Sequence, residues 1–209
     1  GDFFHKPLYL DRGDGDRDQT ITAPQLVWLD RDAEGDAPKQ EGRPLPAVLV
    51  RLFELIDDKP SVVFWECQQG GDVLYRHLRG INVVMIPTSA LPREEQPHVN
   101  EKETPVVFRH ADANVMAQVF RNISFPLASR LFGPASLILF KPEEYWWDND
   151  AAILAVEEPN RRTTNAMTVL TSPEMANIEL NRRDGLKRRA IAELGSRLAL
   201  SEEAKRERI

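Results

Sequence analysis

One cysteine, four histidines and no apolar run of membrane-spanning length exclude several common ways for a chain of 209 residues to work. Cys67 has no partner for an internal disulfide and no second thiolate for a zinc site, which fits a reducing compartment. His5, His77, His98 and His110 are scattered, with neither His-x-x-x-His nor His/Cys spacing, so they read as surface or hydrogen-bonded residues rather than metal ligands. No G-x-S-x-G elbow, P-loop or G-x-G-x-x-G following a strand is present, and neither familiar catalysis nor a cofactor finds support. A bilayer needs roughly 18 to 20 consecutive apolar residues, and the chain does not open on a charged-then-apolar signal segment. A soluble cytoplasmic protein is therefore expected, without membrane contact. The formal net charge of −6 argues against a general nucleic-acid binder, because neutralising phosphates requires a basic face.

What is present is enough to build a core. Hydrophobic residues make up 42% of the chain, and the length allows one domain or two small lobes. The charge is uneven: Asp11, Asp14, Asp16 and Asp18 crowd the acidic opening, while Arg182, Arg183, Lys187, Arg188 and Arg189 make the last helical region basic. Such ends either steer a partner or solvate the surface.

Periodicity sets out the elements. Pro24–Leu29 reads as a strand, followed by a polar loop over 30–46, and Ala47–Ile56 presents a broad apolar helical face that Asp57 to Pro60 stops. Ser61–Cys67 (SVVFWEC) has the continuous apolar character of a buried strand. A helix carrying Val73, Leu74 and Leu78 follows and ends at Gly80, and Ile81–Ile86 is the next strand. The stretch from Pro87 to Pro105, with four prolines, is expected to be a long polar loop, mobile or facing a partner. Ser136–Phe140 and Ala152–Val156 read as strands around the aromatic and acidic loop KPEEYWWDND. In the tail, Thr171 and Glu174 form a capping-box pattern with Pro173 in the first turn, and Leu186, Ala190, Leu194 and Leu198 recur every four residues. The expected class is α+β in two lobes, a mixed α/β lobe over 1–160 and a helical lobe over 161–209.

In VVFRHADANVMAQVF, period two gives way to period 3.6 near Arg109, so Arg109 and Asp112 sit at a strand-to-helix joint. Asp112 is placed to accept from the amides that open the helix and to pair with Arg109, which makes the two architectural. Acid pairs at Glu143/Glu144 and Asp148/Asp150, and His110 with Asp112, are the residue types a carboxylate-dependent hydrolase uses, although adjacent acids in loops are usually solvated. Tyr145, Trp146 and Trp147 have two readings: indoles covering a sheet edge, or an exposed hot spot for a partner. On the second reading the aromatics anchor the partner, while Arg182, Arg183 and Lys187 act on association rate.

Taken in order, APQLVWL, SVVFWEC, LYRHLRGINVVMIP, VVFRHADANVMAQVF, LFGP and a charged helical tail beginning TSPEM resemble the adaptor/chaperone family of type VI secretion, encoded between spike and toxin genes. His77, Leu78 and Arg79 match the family's helix end before a strand; Arg109, Asp112 and Val115 match its strand-to-helix segment; Phe132, Gly133 and Pro134 match its turn. His110 and Ala111 replace the usual aromatics, and Ala113 and Asn114 the usual Pro-Arg, which marks a divergent member. The family's opening strand and helix are not evident, and the chain starts at Gly1 without Met, so a preceding segment is expected. The resemblance implies a non-enzymatic cytoplasmic protein of a Gram-negative bacterium, with no metal or cofactor. Such a protein binds and stabilises one toxic effector and helps load it onto the spike protein VgrG. The alternative is a carboxylate-dependent hydrolase or an effector domain.

Overall fold

Short apolar strands cannot bury themselves alone, and in the computed structural model, which describes residues 4–8, 23–29, 45–56, 59–96, 101–147, 152–155 and 167–206, they assemble into three small sheets around one core. β1 (His5–Pro7) and β2 (Gln25–Val27) form an antiparallel ribbon. α1 (Leu45–Ile56) follows. β3 (Val63–Glu66), β6 (Leu137–Phe140) and β7 (Ala152–Ala155) form an antiparallel sheet in the order β3-β6-β7. β4 (Val83–Pro87) lies between antiparallel β5 (Glu103–Val107) and parallel β8 (Thr168–Val169). α2 (Gly71–Gly80), α3 (Ala113–Phe120), α4 (Phe125–Phe132) and the long α5 (Ser172–Arg206) complete an α+β fold. The acidic stretch with Asp11, Asp14, Asp16 and Asp18, most of the loop over 30–46, His98, Asp148 and Asp150 lie outside the described residues.

The core draws on every layer. Leu78 of α2, Met116 of α3 and Ile138 of β6 are completely buried and Phe140 of β6 nearly so; fully burying one such side chain is worth about 1.5–3 kcal/mol. α2 forms where Leu74, His77 and Leu78 fall on one face, and it ends as Ile81 N–H bonds back to the His77 and Leu78 carbonyls.

The described residues of the expected loop between Pro87 and Pro105 hold more regular structure than its prolines imply. It holds two short 3₁₀ turns, Thr88–Ala90 and Arg93–Glu95, and its last residues already belong to β5. Phe108 N–H donates to the Asn82 carbonyl (2.8 Å) and Thr88 N–H to the Lys102 carbonyl (3.0 Å). Even-numbered residues of β5 therefore exchange bonds with β4, while odd-numbered ones, Pro105 among them, turn away. Because β5 is an edge strand among the described residues, the missing N–H of Pro105 costs no ladder bond there.

The boundary expected near residue 160 does not separate two cores. β8 pairs with β4, and Leu170, Met175 and Ile178 join the same hydrophobic cluster as Leu78 and Phe140. α5 opens with a capping box: Thr171 N–H donates to Glu174 Oε2 (2.9 Å) and Glu174 N–H to Thr171 Oγ1 (3.4 Å). Glu174 Oε1 also accepts from Ser124 N–H at the head of α4 (2.9 Å), so one carboxylate joins two helix starts. Burial opposes ionisation of Glu174, but the hydrogen bonds from Thr171 and Ser124 outweigh it and hold its pKa below the ordinary value. Farther on, Asn181 Nδ2 donates to Asn122 Oδ1 (2.9 Å) and Arg188 Nη2 to the Tyr145 carbonyl (2.6 Å). Past Arg189 the four-residue apolar stripe faces solvent, with Leu194 and Leu198 more than half exposed, as is neighbouring Ile191.

Candidate partner-binding cleft

A cleft of about 900 Å³ opens between the β1–β2 ribbon, α1 and the sheet that ends at β3. Its floor follows from strand register. Phe64 stands opposite Leu139 and Glu66 opposite Leu137, so these four side chains share one face of the sheet. α1 leans over that face, with the Phe53 ring 5.5 Å from Phe64. On the other face, Val63 and Trp65 stand beside buried Ile138 and Phe140, and Leu74 and Leu78 of α2 close the cleft there.

The strand contributions differ in kind. β6 reaches the cleft only through alternate residues, Leu137 and Leu139, as a strand seen face-on must. Every residue from Ser61 to Cys67 lines it, and so does every residue from Pro24 to Leu29. A strand that presents consecutive residues to a cavity presents its edge, and among the described residues β3 is the edge of its sheet. No β3 residue is fully buried, and Val27, Val50, Phe53 and Leu55 are exposed apolar side chains on β2 and α1.

The ribbon wall is locked in place by aromatic packing. Trp28 is buried between Phe4 (5.1 Å) and Tyr75 (5.8 Å), and Lys6 Nζ lies 5.1–5.6 Å from all three rings while pairing with Asp72 (3.7 Å). Gly71 is small because the Trp28 indole occupies the space a Cβ would take. Tyr75 Oη donates to the Pro7 carbonyl (3.0 Å).

The end wall is the strand-to-helix joint, 109–112. Asp112 Oδ1 accepts from Asn114 N–H (3.0 Å) and Val115 N–H (3.3 Å), capping α3, and Oδ2 lies 3.3 Å from Arg109 Nη2. Arg109 itself is 70% exposed at the cleft rim. Behind it His110 is completely buried; its Nε2–H donates to Asn82 Oδ1 (2.7 Å), whose Nδ2 donates to the Leu8 carbonyl (2.8 Å). Burial is the main reason the His110 pKa falls to about 4; the nearby His77 adds to it, against the Leu78 carbonyl, which favours protonation.

Of the three motif groups named from the sequence, Leu78, Arg109 and Asp112 line the cleft, and the first and third groups touch each other. His77 Nε2–H donates to the Leu131 carbonyl (2.9 Å), and its ring fills the space beside Gly133, whose φ of 56° brings the chain around after α4. Burial lowers the His77 pKa, against that hydrogen bond. Phe132 and Pro134 are buried next to it, Arg79 is exposed on α2, and Val115 is half-buried on α3.

The aromatic loop is placed differently from the exposed hot spot. Trp146 is buried, with Nε1 donating to Glu143 Oε2 (3.2 Å), and it packs on Gly185 of α5, where a Cβ would lie 2.5 Å from Cε3. Trp147 is half-buried, edge-on to Phe140 (6.1 Å) and under the Arg121 guanidinium (5.9 Å). Trp146 is thus a docking residue for α5 and not a free anchor. Tyr145 is half-buried; Arg182 and Lys187 form exposed pairs with Glu179 (3.7 Å) and Asp184 (3.2 Å), and Arg183 is exposed. None of these six residues lines the cleft.

Among the described residues no group of three or more His, Cys, Asp or Glu side chains is placed to hold a metal, and no helix is long and apolar enough to cross a membrane. No family model, curated protein or solved structure matches the chain. The motifs reached the cleft at Leu78, Arg109 and Asp112 but did not mark the residues of β3 as its lining. The one signal for them is SVVFWEC itself, a run apolar on both faces, which is what an edge strand shares with a buried one when both its faces border a cavity.

Proposed function

We propose that the protein is a non-enzymatic cytoplasmic adaptor of type VI secretion, which binds a cognate toxic effector, stabilises it and helps deliver it to the spike. The observation that carries this reading is the convergence of the resembling motifs. His77 meets Leu131 and Gly133, so the first and third motif groups touch, and Leu78 of the first lines the apolar cleft together with Arg109 and Asp112 of the second. Their roles there are architectural: a helix cap, a ring packed on a glycine, a tight turn. Such parts keep a binding surface in shape without doing chemistry on what it holds.

The cleft suits that task. It is lined largely by apolar and aromatic side chains, and Val27 and Phe53 among them are exposed, which a partner would cover. The test is co-expression with the effector encoded beside this chain. The effector is expected to copurify and to gain soluble yield. Unchanged solubility together with no pull-down removes the proposal.

A further inference from the structure

We propose that the cleft takes its partner as an added β-strand: an extended, apolar segment of the bound polypeptide pairs with the free edge of β3 and continues the sheet β7-β6-β3 by one strand. This rests on the adaptor reading above and names how the partner is held.

The edge itself specifies the occupant. An edge strand carries a row of outward backbone N–H and C=O groups, which only another extended chain satisfies in register. β3 has β6 on one side and no strand on the other among the described residues, and the uninterrupted lining from Ser61 to Cys67 places that outer side in the cleft. A small ligand would fill the volume and leave the backbone groups unmet. A docked helix meets its own backbone groups internally and leaves those of β3 unmet too.

The two faces define the side chains of the added strand. Successive residues of a strand point to opposite faces. Here one face lies under Phe53 and beside Phe64 and Leu139, and the other beside Trp65 and Leu74, so both accept apolar groups. The segment is therefore apolar at consecutive positions rather than alternating. At the rim Arg109 is held only by its exposed pair with Asp112, whose other oxygen is engaged by the α3 amides. A carboxylate on the incoming strand gains that guanidinium, which fixes direction and register.

Cys67 gives a reporter that needs no mutation: it is the sole cysteine, half-buried, and it ends the lining stretch. The experiment uses the full chain alone and in the complex purified by co-expression with the effector encoded beside it. It measures N-ethylmaleimide modification of Cys67 and amide hydrogen exchange over 61–67, both by mass spectrometry. In the complex both are expected to slow at least tenfold, and Val27→Glu, an exposed position on the facing strand, to lower affinity at least tenfold while Arg182→Glu with Arg183→Glu does not. A complex that forms with Cys67 and these amides as reactive as in the free chain overturns strand addition and leaves the adaptor reading standing. Protection of Cys67 without slower amide exchange means the cleft is filled by something other than a strand, which also overturns it. Absence of any complex removes both.

Discussion

The imidazole of His77 occupies the space that a side chain at Gly133 would need, and its Nε2–H reaches the carbonyl of Leu131 two residues earlier, so α2 and the turn after α4 are locked by one ring against one missing Cβ. Neither residue is replaceable without moving the other. Gly133→Ala combines a left-handed φ of 56° with a collision against a buried ring. Strained backbone and overpacking each cost about 1–3 kcal/mol, so a loss of about 2–6 kcal/mol is expected in urea unfolding. A loss under 1 kcal/mol would show that the ring moves aside freely.

The buried histidines predict acid sensitivity in a defined window. His110 is held neutral, with a pKa of about 4, and His77 is shifted the same way. Above the unfolded value of about 6.5, both folded and unfolded chains keep the rings neutral and nothing is lost. As pH falls below it only the unfolded chain takes up protons, so stability declines, by about 3 kcal/mol for His110 by the time pH 4 is reached. Glu174, with its lowered pKa, costs stability only as pH falls through the ordinary Glu value of about 4.3, where the unfolded chain takes up the proton, which leaves pH 5–6.5 to the histidines. Urea titrations across that range should give a shallower slope for His110→Gln than for wild type; equal slopes would assign the effect elsewhere.

Asp112 and Arg109 should separate cleanly although they touch. Asp112→Ala removes the cap of α3 and is expected to cost about 0.5–2 kcal/mol. Arg109→Ala breaks only an exposed pair, worth about 0–1 kcal/mol. If thermal unfolding places the two variants level, the ion pair and not the cap holds the joint.

Two glycines of α5 should respond with opposite signs. An exposed helical Gly→Ala change gains about 0.8–1 kcal/mol from propensity, and Gly195 has nothing within 4 Å of an added Cβ, so Gly195→Ala is expected to stabilise by about that amount. At Gly185 the same gain meets Trp146, and overpacking of about 1–3 kcal/mol makes Gly185→Ala destabilising. A blue-to-red change in tryptophan emission as α5 loosens should accompany it; an unmoved spectrum would place Trp146 outside this contact.

Local signals explain which parts of the fold were readable. β3, β4 and β6, α2 and α3, the Asp112 cap and the Thr171–Glu174 box all follow from periodicity and end chemistry within a few residues. Trp146 did not, because its burial depends on Gly185, nearly forty positions away; the readable trace was a glycine inside a helical pattern, which often marks close packing. The prolines after β4 pointed to a loop because a one-dimensional pattern does not say which side of an edge strand an N–H faces. SVVFWEC was readable as a strand but not as an edge: apolar residues on both faces mark burial without saying whether this chain or another provides the cover.

Pro105 bears on how these molecules behave in a crowd. Its position in the outward-facing register of β5 leaves that rim without its central donor, so a neighbouring copy that approached β5 would find the middle of its ladder unbonded. Sheets that can grow from an unprotected side tend to polymerise. With β5 blunted, a protein that on the proposal above offers the edge of β3 to a partner is less prone to stack against its own kind along β5.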